Sequence, residues 1–131
     1  MTLQEYIDKT IGIKVRDGQC VALVRDYLLE VYSIPHTGSV SGAIDIWDTR
    51  YSNPLILENF MIAEGRPKAG DIIFFAPTNT NKYGHVAIVY EDKGDGFNVY
   101  EADGFNPDRG TKIAFWSWTR YVGALRPRRK E

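Results

Sequence analysis

Hydrophobic positions follow two regimes along the chain. Up to about residue 47 they recur at helical spacing, and from Asp71 onward they form the short runs and alternations of strands. Leu3, Tyr6 and Ile7 predict a short helix from Thr2 to Lys9, with Thr2 as N-cap. Residues 12–18 read as a connecting loop. Cys20, Leu23, Val24, Tyr27, Leu28 and Val31 then form the strongest helical stripe in the chain. Asp17 is the expected N-cap of that helix, and Pro35 and Gly38 its expected stop. A shorter helix is expected from Ala43 to Trp47. Between Tyr51 and Gly65 no period holds, and Asn53-Pro54 and Gly65-Arg66-Pro67 read as breakers.

The second regime begins with Ile72-Ile73-Phe74-Phe75, an apolar run suited to a strand buried on both faces. Residues 77–81 read as a loop. His85 to Tyr90 carries hydrophobic side chains on both faces, as a central strand does. Lys93-Gly94-Asp95-Gly96 is a hairpin turn and Phe97 to Asp103 the return strand. A polar loop with Pro107 follows, and Lys112–Trp116 and Tyr121–Leu125 are the last strands expected. Helices first and an antiparallel sheet after them make an α+β arrangement. At 131 residues the chain holds one domain, expected over residues 1–127, with 128–131 as a basic tail or the start of a linker.

Composition narrows the classes of function. Hydrophobic residues at 44% and charged residues at 25% are ordinary for a globular domain and disfavour disorder, collagen-like repeats and coiled coil. The net charge is −1, with five basic and nine acidic side chains in residues 1–65 and eleven and eight in residues 66–131. Arg126, Arg128, Arg129, Lys130 and Glu131 supply the whole excess of the second half. The basic character is therefore terminal, and no nucleic-acid partner is expected. No stretch reaches the roughly 18–20 apolar residues of a membrane span, so no stable membrane association is expected. Met1 to Tyr6 lacks a basic segment followed by an apolar one, so cytoplasmic synthesis without a signal peptide is expected. The single cysteine, Cys20, excludes an internal disulfide and a four-cysteine zinc site.

Candidate chemistry centres on that cysteine. The first turn of a helix lowers a thiol pKa through its free N–H groups and dipole. His85 opens a strand after Gly84. Phe97, Val99, Glu101 and Asp103 share one face of the next strand, as His85, Ala87 and Val89 do on theirs. If the faces coincide, a carboxylate lies beside the imidazole, the layout of a cysteine nucleophile, its histidine base and an orienting acid. Each piece also has a plain packing role: a lone cysteine on an apolar stripe is usually a small buried hydrophobe, and Glu101 could pair with a surface cation. His36 reads as solvent-facing. A zinc site built from Cys20, His36, His85 and one carboxylate would lack any close pair of ligands in sequence.

With these residues in view, the chain resembles the CHAP family, the cysteine- and histidine-dependent amidohydrolases and peptidases. The resemblance rests on Gly18-Gln19-Cys20-Val21 opening a helix, Pro67 to Phe74 before the sheet, Tyr83-Gly84-His85 to Val89, Val99 to Asp103, and Tyr121 to Pro127. It implies a papain-like fold and hydrolysis of bacterial peptidoglycan, as in the catalytic domain of a phage endolysin. It implies Cys20 as nucleophile, His85 as base and Glu101 as its orienter, with Asp103 standing where many members carry Asn. The oxyanion is expected on the Cys20 N–H and Gln19. Some members bind calcium before the nucleophile; here that loop offers only Asp17, beside Lys14 and Arg16, so no metal and no cofactor are expected. Trp47, Tyr51, Tyr83, Phe105, Trp116 and Trp118 are groove candidates, with Tyr83 and Phe105 favoured because they flank His85 and Glu101 in sequence. The expected substrate is a stem-peptide or cross-bridge bond, attacked at the cell wall by a monomer, with a wall-binding module in any longer parent chain. The rival readings are a papain-like binding module that does not cut, a bacterial autolysin, and an amidase or acyltransferase for small amides.

Overall fold

The computed structural model describes residues 1–38, 42–103 and 106–128. Four helices and six strands follow in the order α1 (Leu3–Thr10), α2 (Cys20–Tyr32), α3 (Ala43–Asp48), α4 (Pro54–Asn59), β1 (Phe60–Ile62), β2 (Ile72–Phe75), β3 (His85–Asp92), β4 (Gly96–Ala102), β5 (Thr111–Ser117) and β6 (Tyr121–Pro127). The α+β class read from the sequence is the class observed.

Local chemistry explains most of the boundaries. Thr2 and Glu5 close a capping box on α1: the Glu5 N–H donates to Thr2 Oγ1 at 3.1 Å and the Thr2 N–H to Glu5 Oε1 at 3.0 Å. Helix α2 ends at Tyr32, before Pro35 and Gly38. Ser33 takes the left-handed conformation at φ 58° and the Ile34 N–H reaches back to the Leu28 carbonyl at 3.1 Å, a Schellman closure with serine where glycine is usual. The unreadable stretch after Tyr51 holds α4 and β1. Asn53 caps α4 by accepting the Leu55 N–H at 3.0 Å, and Pro54 occupies its first turn, so the apparent breaker is a start signal.

The sheet is antiparallel throughout, in the order β1-β6-β2-β3-β4-β5. Its central strands are buried on both faces, as their composition predicted. Ile72, Phe74, Val86, Ile88, Tyr100 and Leu125 face α1, α2 and α3, while Ile73, Phe75, Ala87, Val89, Phe97 and Val99 form a second core on the opposite face. Gly123 lets the helical layer settle on the sheet, since a Cβ there would lie 2.2 Å from the Trp47 ring.

That second core is closed by the sheet itself. Strands β5 and β6 are consecutive, yet three strands lie between them, and only the 3₁₀ turn Trp118–Arg120 joins them. Across a flat sheet the two would stand about 19 Å apart, whereas so short a connection reaches about 14 Å. The sheet therefore curls, bringing β5 over the outer face of β2 and β3. Trp118 and Tyr121 stack at 4.4 Å and both pack on Phe97, sealing one end of the enclosed core.

The C-terminal basic residues are less free than the sequence suggested. Arg126 lies in β6 and grips buried Asp71 with two hydrogen bonds of 2.9 and 2.8 Å. Arg128 donates to the Phe60 carbonyl at 3.1 Å. Residues 129–131 lie outside the described residues. Among the described residues no helix is long and apolar enough to cross a membrane.

Candidate active site

Helix α2, the loop before β3, and strands β3, β4 and β5 converge on a cleft of about 810 Å³. Gln19, Cys20, Tyr83, His85, Glu101 and Asp103 all line it, and so does Trp116, whereas Trp47, Tyr51 and Trp118 among the groove candidates do not. Phe105 lies outside the described residues.

Cys20 is the first residue of α2 and is partly exposed. The cap lies two positions beyond the expected Asp17. Gln19 is the N-cap and makes no side-chain capping bond, while Asp17 Oδ1 accepts the Gln19 N–H at 2.9 Å from outside the helix. The first-turn N–H groups are thus left open toward the cleft instead of being consumed by an aspartate. Burial pushes the Cys20 thiol up, but hydrogen bonding and charge from His85, with the Val86 and Val21 N–H groups, outweigh it and hold the thiol below its ordinary value.

His85 opens β3 and is only 8% exposed. The preceding Gly84 sets its position: φ is +70°, and a Cβ there would come within 2.9 Å of the Phe75 carbonyl oxygen and 3.0 Å of Ile44. His85 Nε2 lies 3.2 Å from Glu101 Oε1, which leaves Nδ1 for the Cys20 thiol. The shared face expected for His85 and Glu101 is therefore observed. Burial pulls the imidazolium down, yet hydrogen bonds and charge from Cys20 and Glu101 push its pKa up to about 9. Each group thus favours the charged form of the other.

Glu101, 6% exposed, is held by more than the histidine. Trp116 Nε1 donates to the same Oε1 at 2.6 Å, and Lys112 Nζ stands 3.9 Å from Oε2. The Trp116 ring also stacks on His85 and on Phe75 at 4.6 Å each. Sequence reasoning included Trp116 only among the groove aromatics and missed this role. In the strand register Trp116 pairs with Phe97, four residues and about 13 Å along β4 from Glu101, so the indole reaches the carboxylate by lying diagonally along the inner face, a contact that local pattern does not reveal.

Asp103 sits at the rim, with Asn106 Nδ2 at 3.2 Å and Arg109 at 4.0 Å from its Oδ2. Tyr83 is half exposed at the mouth, and its carbonyl receives the Ile44 N–H at 3.0 Å. His36 is exposed, as read from the sequence, and its Nδ1 accepts the Gly38 N–H at 2.7 Å.

The loop before Cys20 does not suit a calcium ion. Asp17 is engaged with the Gln19 N–H, Lys14 pairs with Asp108 at 3.0 Å, and Arg16 projects a cation into the same space. Among the described residues no group of three histidine, cysteine or carboxylate side chains is placed to hold a metal.

Comparison with known proteins finds a matching family and similar solved structures. The CHAP domain family matches residues 10–105. A crystal structure of Ly7917 with the hydrolyzing product of MDP superposes with a TM-score of 0.70 at 23% identity, over 97% of this chain and 63% of that one. The wild-type endolysin LysIME-EF1 superposes with a TM-score of 0.61 at 17% identity, over 96% of this chain and 62% of the endolysin. The chain thus spans less than two thirds of the length of these proteins. No curated protein matches it by sequence.

Proposed function

The chain belongs to the CHAP domain family, and from that premise we propose that it hydrolyses an amide or peptide bond of bacterial peptidoglycan through a Cys20 thioester, as the catalytic domain of an endolysin does. The observation that carries this reading is the continuous series of Cys20, His85 and Glu101 in one cleft, with the nucleophile at an open helix N-terminus. A domain that only bound wall peptides would gain nothing from a histidine-activated thiol backed by a buried carboxylate.

The chemistry follows from the geometry. The Cys20 thiolate attacks the carbonyl carbon of the scissile amide. The resulting oxyanion is met by the Cys20 N–H, with Gln19 beside it at the cleft edge. His85, as imidazolium, protonates the departing amine and leaves a thioester on Cys20. The neutral His85 then takes a proton from water, which attacks the thioester and frees the carboxylic acid. Glu101 keeps the imidazole in plane with the thiol and stabilises its charge. Tyr83 flanks the cleft where an extended peptide enters. The chain acts at the wall as a monomer by this reading, joined to a wall-binding module in any longer parent protein.

The test is loss of turbidity of purified Gram-positive cell walls, followed by mass spectrometry of the products. New amino termini, or free stem peptides, appearing with the native chain and absent with Cys20→Ala support the proposal. Intact walls after prolonged incubation with folded native chain overturn it.

A further inference from the structure

One side of the cleft carries charge that the thiol chemistry does not use. Arg25 lies in α2 beyond Cys20, and Arg16 in the loop before it; both line the cleft. Arg25 is partly buried. Its Nε donates to Thr37 Oγ1 at 3.0 Å and its Nη2 to the Gly38 carbonyl, partners that fix the guanidinium without neutralising it. Among the described residues no carboxylate pairs with Arg25. The cleft's own carboxylates are engaged elsewhere: Glu101 with His85 and Trp116, Asp17 with the Gln19 N–H, and Asp103 with Asn106 and Arg109.

Arg16 is the second cation. Its backbone is left-handed at φ 53°, uncommon for a side chain of this size, and its Nε lies 3.5 Å from Asp26 Oδ1. Asp26 also accepts the Tyr6 hydroxyl at 2.6 Å, so its charge is shared. Burial lowers the pKa of Arg25, and repulsion from Arg16 lowers it further, so the two guanidiniums sense one another. Holding a half-buried cation beside a second one without a counter-ion is unfavourable. Pinning Thr37 and Gly38 needs only a neutral donor. The charge is explained by an anion that arrives with the substrate.

We propose that Arg16 and Arg25 form an anion subsite in the Cys20 cleft, which takes a free carboxylate on the peptide portion of the substrate. The inference rests on the peptide-hydrolase reading above for its choice of ligand. Bacterial stem peptides carry such carboxylates at side chains and termini, and a planar guanidinium fork fits them better than it fits the primary amides that replace them in amidated walls. The subsite therefore sets a preference between acid and amide forms of one peptide.

The test uses two synthetic stem peptides, identical except that the free carboxylates of one are primary amides in the other. Binding is measured calorimetrically with the Cys20→Ala protein, and cleavage with the native protein. The acid form binds about tenfold more tightly, and its advantage in cleavage appears in KM. Arg25→Gln and Arg16→Gln, each placed in the Cys20→Ala protein, lose most of that ratio, while Arg25→Lys keeps part of it. Because Arg25→Gln also frees Gly38, the Arg16→Gln variant, altered on an exposed loop, is the independent check. Equal binding of the two peptides, or a ratio that survives both glutamine variants, overturns the subsite. Selective binding without cleavage removes the hydrolase reading and leaves the subsite standing; cleavage without selectivity does the reverse.

Discussion

The indole of Trp116 lies parallel to the imidazole of His85, 4.6 Å away and tilted by 12°, while its Nε1 donates to the carboxylate oxygen that faces His85. One side chain thus covers the histidine, anchors the acid and keeps water from the contact between them. Trp116→Ala is expected to lower kcat about tenfold or more and to move the upper limb of the pH profile downward, because a solvated Glu101 stabilises the imidazolium less. Trp116→Phe keeps the stack but not the N–H, and falls between. Steady-state kinetics from pH 5 to 10 on a soluble muropeptide provide the check; an unchanged upper limb in Trp116→Ala contradicts the assigned role.

Activity should follow a bell in pH. On the acid side it rises as the Cys20 thiol ionises, below the ordinary thiol value because His85 stabilises the thiolate more than burial opposes it. On the alkaline side it falls as His85 loses the proton it gives to the leaving amine, near its pKa of about 9. His85 is raised, so its charged form persists through neutrality and disappears only above that value. An upper limb near the ordinary histidine value of about 6.5 would contradict the coupling.

Cys20→Ala, Cys20→Ser and His85→Ala should each reduce wall lysis by at least about a thousandfold with little change in circular dichroism, since nucleophile and base act as a unit. Serine fails as alanine does because its hydroxyl stays protonated where His85 works. Residual lysis above that level in folded Cys20→Ala contradicts the thioester mechanism.

The two acidic residues on β4 and just beyond it should separate cleanly. Glu101→Gln is expected to keep a few percent to a few tens of percent of the activity, its amide oxygen still accepting the imidazole N–H without the charge. Asp103→Asn, at the rim with Asn106 and Arg109, is expected to retain most of it. Turbidity assays on matched protein concentrations decide. The opposite order would give the orienting role to Asp103.

Chelation should matter little. With Asp17 engaged and Arg16 and Lys14 beside it, the loop before Cys20 presents no set of oxygens for a hard cation. Lysis and melting temperature should be the same in EDTA and in millimolar calcium. A calcium-reversible fall in both would mean that carbonyl oxygens complete a site there.

The nucleophile helix, the central strands and the pairing of His85 with Glu101 were legible because each rests on a local period: the helical stripe from Cys20 to Val31, and the two-residue alternation of β3 and β4. Family resemblance then gave those residues their roles. The Gln19 cap and the Ser33 closure were misread because Asp17 and Gly38 are stronger cap signals than the residues used. Helix α4 was missed because Pro54 marks a first turn as readily as a break. The cation pair and Trp116 lay beyond local reading for a different reason. Arg16 and Arg25 meet only after the loop before α2 turns back on the helix. Trp116 meets His85 only after the sheet rolls up.

That rolling ties distant parts of the chain into one site. Cys20 and the helix that activates it sit near the start of the chain, His85 and Glu101 further on, and the indole that steadies them near the end. The contacts spanning those positions are distant in sequence and are made only by the folded sheet. A nascent or partly opened chain carries the thiol without its supported base. The proposed chemistry therefore depends on β5 being docked, because its Trp116 both stacks on His85 and holds Glu101.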